Sequence, residues 1–294
     1  ALEKHRLSRE VACLRRELDR YRPFENMLGR NPKMREVFQM IAAVACSDGA
    51  VLIQGQSGTG KELVARAVHN RSLRREKPFV VINCGAVPES LMERELFGHN
   101  RGAFTNATRT LPGKLELAEG GTVFLDDIDS MGTGMQAKLL RAIQNKEFER
   151  LGGNRLIRAD IRFVAACNKD LQELLREGRF REDLYFRLNV FPILLPPLRE
   201  RREDIPVLLN HFLATYRRNG NGVPERFSQR ALEMLMRYDW PGNIRELENL
   251  VLRICTVTRA KEIRLHHLPD ELAPHNQSGS MTLRDAVRDF ERKY

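Results

Sequence analysis

The stretch VLIQGQSGTGK, residues 51–61, joins an apolar run to the pattern Gly55-x-x-x-x-Gly60-Lys61. Glycines at these positions free a backbone to close around an anion. In this Walker A context Gly55, Gln56, Ser57, Gly58, Thr59 and Gly60 present N–H groups to phosphate oxygens, and Lys61 adds a point charge at the β- and γ-phosphates. A helix starting at the loop contributes the positive end of its dipole. The general pattern continues with Ser or Thr as a Mg2+ ligand, whereas here Glu62 follows the lysine. Metal binding must then rest more heavily on a second acidic site. That site is GGTVFLDDID, residues 120–129, an apolar run ending in Asp126-Asp127. In the Walker B arrangement Asp126 holds Mg2+ through water and Asp127 orients the attacking water. Paired acids often mark nothing more than a solvated turn; behind a phosphate loop they point to hydrolysis of a nucleoside triphosphate.

These residues need a scaffold that carries strand ends to one edge. Short apolar runs at 50–53, 79–82, 123–125, 163–166 and 191–195 alternate with amphipathic stretches such as 61–70 and 134–144. The alternation predicts an α/β fold, a parallel sheet flanked by helices. Strand signals stop near residue 200. Segments 204–218, 228–238 and 243–258 read as helices, with Pro241-Gly242 punctuating the last two. An α/β subdomain over 25–200 followed by a helical lid over 201–272 is therefore expected. Before it, Leu7, Val11, Leu14, Leu18 and Tyr21 are spaced as a heptad seam, so residues 1–24 read as a coiled-coil-like linker. After it, 273–281 reads as a linker and 282–294 as the start of another helix.

The chain has 294 residues, 42% hydrophobic and 30% charged, with a formal net charge of +10. No apolar run approaches the ~20 residues that a membrane-spanning helix needs. The opening residues, ALEKHRLSRE, are charged and lack an initiator Met, which suggests a piece of a longer chain without a signal peptide. Five scattered cysteines with no C-x-x-C pair read as reduced thiols of a cytoplasmic protein, with Cys84 and Cys167 as small core residues. The positive charge fits either a solvated Arg-rich surface or a polyanionic partner. Trp240 reads as a lid-core anchor, and His266-His267 as a loop rather than a metal site.

One segment fits neither scaffold nor phosphate site. RGAFTNATR, residues 101–109, is a loop of small residues around Phe104, flanked by Arg101 and Arg109. The expectation is a wet loop with Phe104 exposed, forgoing about 2 kcal/mol of burial.

GQSGTGKE, ELFGHNRGAFTNA, GGTVFLDDI, FREDLYFRLNVF and WPGNIRELENL occur in that order. Together they resemble the central AAA+ P-loop ATPase domain of bacterial enhancer-binding proteins, the sigma-54 activators of the nitrogen regulatory protein C type, over about residues 25–272. Glu62 after the lysine is itself the form of that family. The resemblance implies ATP and Mg2+ as cofactors, and a ring of six or seven copies that hydrolyses ATP at subunit interfaces and remodels sigma-54 RNA polymerase at promoters. It implies that Asn83 couples the Walker B acid to the partner loop and that Asn168 is the sensor I residue. Arg181 and Arg187 fall at arginine-finger positions, although each has an acidic neighbour in Glu182 or Asp183 with which to pair. Arg245 falls at the sensor II position of the lid. Phe104 and Thr105 lie in the counterpart of the G-A-F-T-G-A loop, which reaches toward sigma-54 in the ATP-bound state. Enhancer DNA would be read by a C-terminal helix-turn-helix domain outside this chain, and the N-terminal heptads would lead from a regulatory domain. Two departures stand out: Asn106 replaces the second glycine of the loop, and Asp127 replaces the usual Glu. They keep open a rival reading in which ATP gates assembly or DNA binding with little sigma-54 activation. The partner loop and Glu62 argue against an unrelated AAA+ helicase or chaperone.

Overall fold

The computed structural model describes residues 27–85, 88–105, 107–218, 224–269 and 272. The heptad seam of 1–24, Cys13, Asn106 and the segment 273–294 lie outside the described residues.

Five strands form the central sheet: β1 (Val51–Gln54), β2 (Phe79–Asn83), β3 (Thr122–Asp126), β4 (Arg162–Cys167) and β5 (Phe191–Leu194). Their order across the sheet is β2-β3-β4-β1-β5, and every pairing is parallel. Each expected strand is present, because parallel strands covered on both faces read as continuous apolar runs. Side chains alternate between two cores. Leu52, Val123, Leu125 and Ala165 face one apolar cluster, while Val51, Ile53, Phe124 and Val164 face the other. All strands run the same way, so their carboxyl ends meet at one edge. The register places Asn83 beside Asp126 and Gln54 beside Cys167 there.

Helices α1 (Pro32–Ala45), α2 (Lys61–Asn70), α3 (Glu89–Phe97), α4 (Thr133–Asn145), α5 (Leu171–Arg176) and α6 (Glu182–Leu188) belong to this layer system. α1 begins at Asn31, whose side chain accepts from the Lys33 N–H, with Pro32 in the first turn. Met34, Val37, Ile41 and Val44 form its buried stripe. α1 has no basic residue in its last turn; instead Arg162 of β4 donates to the Val44 carbonyl at 2.7 Å and the Ala45 carbonyl at 2.9 Å. Arg162 is 1% exposed, and burial pushes its pKa down.

The lid comprises α7 (Ile205–Arg218), α8 (Gln229–Arg237) and α9 (Asn243–Val257) around an apolar cluster of its own. Trp240 is fully buried there, and its indole N–H donates to the Leu235 carbonyl at 2.8 Å. Trp240 and Asn243 both take positive φ, 51° and 54°, which turns the chain sharply through Pro241-Gly242 into α9.

Candidate nucleotide site

The phosphate loop runs from the end of β1 to the start of α2. Gly58 and Gly60 adopt φ of 76° and 102°, a region that an L side chain resists. A Cβ on Gly58 would also run into the Gly242 carbonyl of the lid. Among the described residues, the N–H groups of Gln56, Ser57, Gly58 and Gly60 make no hydrogen bond. Lys61 is buried, and its ammonium donates to the carbonyls of Gly55 at 3.0 Å and Gln56 at 3.4 Å. The Thr59 hydroxyl donates to the Gln56 carbonyl at 2.7 Å. Glu62 pairs with Arg66 one turn further along α2. The result is a concave run of free donors at a helix N-terminus, with a lysine at its rim. Beside it lies a cavity of about 900 Å³ whose lining includes Val37, Met40, Gln54, Ile193 and Leu195. Its partly apolar wall suits a nucleoside next to the phosphate loop.

Asp126 ends β3 at the same edge. Burial, and then the neighbouring Asp127, raise its pKa above the ordinary carboxylate range; Lys61 opposes them. Asp127 sits in the left-handed region, φ 52° and ψ 46°. Its Oδ1 accepts from the Asn168 side-chain amide at 3.1 Å. Asn168 follows β4, and its backbone N–H donates to Asp129 at 3.3 Å. The Asp127 N–H donates to Asp126 Oδ1 at 3.1 Å, so the acidic pair and the expected sensor are one hydrogen-bonded group. Two crowded carboxylates, one of them desolvated, fit the charge of a divalent cation carried by a nucleotide. Asn83 ends β2, and its side chain accepts from the Gly85 N–H at 2.9 Å; no hydrogen bond to Asp127 is formed. Cys84 and Cys167 are buried and their thiols pushed up to about 12, Cys84 also by the neighbouring aspartates, so both pack rather than react.

Arg245 reaches the loop from α9, its guanidinium 3.4 Å from the Ser57 hydroxyl. Arg181 and Arg187 are both exposed. Arg181 is held by Asp183 through bonds of 3.0 and 2.7 Å, while Arg187 makes no hydrogen bond or ion pair among the described residues. Buried Gln136 fixes the segment that carries Arg181. It donates to the carbonyls of Met131 and Arg179, and accepts from the Arg181 N–H at 2.8 Å.

The loop of Phe104 corrects the sequence expectation. Phe104 is half-buried rather than exposed. Its ring packs on His99 with centroids 4.9 Å apart, and the Arg94 guanidinium lies 5.2 Å over it. The loop closes on itself through Gly102 N–H to Ala107 O and Ala107 N–H to Phe104 O, both 2.9 Å. Thr105, Arg101 and Arg109 are exposed. Apolar contact and a cation–π interaction within the same chain recover part of the burial that an isolated loop would forgo.

Sequence reasoning missed Asn243, Arg199 and Arg201. Asn243 donates to the Ser57 carbonyl at 2.9 Å, Arg201 donates to the Thr59 carbonyl at 3.0 Å, and Arg199 donates to the Gln56 side chain at 2.9 Å. The available signal was Asn243 next to Pro-Gly, where a turn invites positive φ.

Residues 27–194 match the model of the sigma-54 interaction domain, and residues 199–284 match that of an AAA+ ATPase lid domain. The nitrogen fixation protein AnfA of Azotobacter vinelandii is 44% identical over 295 residues, covering 99% of this chain and 55% of AnfA. The transcriptional regulatory protein ZraR of Escherichia coli is 49% identical over 247 residues, covering 84% of this chain and 56% of ZraR. The crystal structure of NtrX from Brucella abortus in complex with ATP superposes with a TM-score of 0.77 at 36% identity, covering all of this chain and 66% of that one. The chain thus spans about half the length of the curated relatives it matches. With its parallel sheet, phosphate loop and helical lid, the chain belongs to the sigma-54 interaction domain family of AAA+ ATPases.

Proposed function

We propose that this chain is the ATP-hydrolysing part of a transcriptional regulator that assembles into a ring and remodels sigma-54 RNA polymerase at promoters. The observation that carries the reading is one sheet edge holding a run of free loop amides, Lys61, the Asp126-Asp127 pair and Asn168. ATP would lay its phosphates on the free amides of Gln56, Ser57, Gly58 and Gly60, those of Gly55 and Thr59 being taken by the Cys167 and Gln56 carbonyls, with Lys61 turning from the loop carbonyls to the β- and γ-phosphates. Asp126 would hold Mg2+, which supplies charge neutralisation as the γ-phosphoryl group leaves. Asp127 would orient water, with Asn168 fixing its carboxylate. Arg245 would report phosphate to the lid.

Arg187 would act on the nucleotide of a second copy. Its lack of a partner among the described residues supports this role over Arg181, which pairs with Asp183. Phe186 and Val190 beside it are 65% and 50% exposed, an apolar surround suited to a subunit interface. Six or seven copies, enhancer DNA read through a further domain and a cytoplasmic setting follow from the family resemblance and belong to the same proposal.

Phe104 on His99 is then the stowed position of a loop that rises toward sigma-54 when ATP binds. The same seat supports the second reading, in which ATP gates assembly and the loop stays down. Crosslinking of the chain to sigma-54, with and without a transition-state analogue of ATP, separates the two. Analogue-dependent crosslinking that Phe104→Ala abolishes and Asn106→Gly strengthens is expected. ATP hydrolysis without crosslinking in any of the three proteins favours the second reading.

A further inference from the structure

The carbonyls of the phosphate loop are all engaged; Thr59 within the loop takes Gln56 O, and the other donors come from two different places. Lys61 takes Gly55 O and Gln56 O. The lid side takes the next three. Asn243 donates to Ser57 O at 2.9 Å, and the Ile244 and Arg245 N–H groups donate to Gly58 O at 2.9 and 3.3 Å. Arg201, in the turn leading from the sheet into the lid, donates to Thr59 O at 3.0 Å. A trans peptide is planar, so its N–H points opposite to the carbonyl of the preceding residue. Holding Ser57 O therefore aims the Gly58 N–H, and holding Thr59 O aims the Gly60 N–H. Holding Gly55 O and Gln56 O aims the N–H groups of Gln56 and Ser57. These are the four amides left free.

Both lid-side donors are themselves fixed. Asn243 is fully buried, and its Oδ1 accepts from the Leu198 N–H at 2.8 Å. Arg201 is 1% exposed and its second amino group lies 3.1 Å from the Met34 sulfur. Once Lys61 leaves the loop to meet a phosphate, Thr59 still holds the Gln56 carbonyl, and the lid-side donors still hold those of Ser57, Gly58 and Thr59.

We infer that Asn243 and Arg201 are positioning residues that keep the loop amides aimed at phosphate, so that the lid sets the affinity for the phosphate part of the nucleotide. The inference rests on the nucleotide reading above and deepens it. It differs from the role given to Arg245, because both residues act on the loop's carbonyls rather than on the nucleotide. It separates phosphate recognition from nucleoside recognition, since the cavity against α1 and β5 includes neither side chain in its lining.

The test is titration of ADP and, separately, adenosine into the full chain and into Asn243→Ala, Arg201→Met and Arg201→Lys. ADP binding is expected to weaken by about tenfold in the first two variants, the loss of one loop-orienting hydrogen bond. Adenosine binding should stay unchanged, and Arg201→Lys should recover part of the loss because it keeps a charged donor. Wild-type ADP affinity in folded Asn243→Ala and Arg201→Met, or equal loss for ADP and adenosine, overturns the roles. Should a variant fail to fold, amide hydrogen exchange on the wild-type chain decides. ADP, but not adenosine, should slow exchange at Ile244 and Arg245, whose amides bond Gly58 O, and no difference there overturns the inference. Wild-type protein that binds no ADP overturns the nucleotide reading itself, a result distinct from binding that the variants leave intact.

Discussion

Asp127 combines a left-handed backbone with a carboxylate held by Asn168 at 3.1 Å. Asp is among the residues that tolerate this region, and Glu less so. Glu carries one more methylene, which moves the carboxylate outward, and a displacement near 1 Å can change a rate by ~10²-fold. Asp127→Glu is therefore expected to raise kcat by up to ~10²-fold with little change in nucleotide affinity, at a small loss in melting temperature. Steady-state kinetics with a parallel melt check both; a lower kcat would mean that the site is built around the shorter acid. Asp126 gives a prediction of the opposite sign for stability. Its pKa is raised by burial and by Asp127, so the nucleotide-free fold carries a penalty for the ionised form above that pKa and is relieved as pH falls through it. If Asp126 holds Mg2+ with the nucleotide as proposed, it does so ionised, so affinity should fall as pH drops into the raised range. Asp126→Asn should flatten that pH dependence, abolish hydrolysis and raise the melting temperature of the nucleotide-free protein near neutral pH. A variant that melts lower than wild type would show that the crowded acids carry no stored repulsion.

At the scale of elements, α1 ends on a charge borrowed from another strand. Arg162→Met keeps most of the buried apolar stem but leaves the Val44 and Ala45 carbonyls without their donor. The expected loss is about 1–3 kcal/mol, read from the urea midpoint; an unchanged midpoint would show that other donors or water replace the guanidinium. This contact also marks where sequence reading stops. The five strands were legible because burial on both faces makes continuous apolar runs, and α2 because the phosphate pattern fixes its start at Lys61. α1 is less legible: Met34, Val37, Ile41 and Val44 carry a helical spacing, but no functional motif lies on it. Arg162 reads as the charged flank of an apolar run, and only the fold reveals that it caps a helix far away in sequence. The site divides in the same way. Lys61, Asp126 and Asp127 announce themselves by local pattern, whereas Asn243 and Arg201 reach the loop through tertiary packing. Phe104 was misread as exposed because its cover, His99 and Arg94, lies on the preceding segment and carries no apolar signal of its own.

At the scale of the whole molecule, one arginine of the expected finger pair is in an ion pair and the other is not, among the described residues. Arg181 pairs with Asp183 at the surface, while Arg187 projects from α6 without a partner among the described residues. A guanidinium that arrives from another subunit stabilises charge gathering on the γ-phosphoryl group, and such fingers contribute ~10³–10⁵ in rate. If Arg187 serves a neighbour, the chain is an incomplete enzyme by itself, and hydrolysis per chain must rise with concentration as copies meet. The same logic makes two inactive proteins complementary. Lys61→Ala keeps its arginine but loses the phosphate loop's charge; Arg187→Ala keeps the loop but loses the finger. Mixed, they form interfaces in which an intact loop faces an intact finger, so part of the hydrolysis returns although neither protein alone turns over. Arg181→Ala, by contrast, should lose less activity than Arg187→Ala, because Arg181 must first leave Asp183 to reach a neighbour, whereas Arg187 is already presented without a partner among the described residues. The measurement is phosphate release against total concentration for each protein and for the equimolar mixture. Recovery in the mixture with a steeper than linear concentration dependence is the expected result. Hydrolysis strictly proportional to concentration, with no recovery on mixing, would place the whole catalytic site within one chain and leave Arg187 as surface charge.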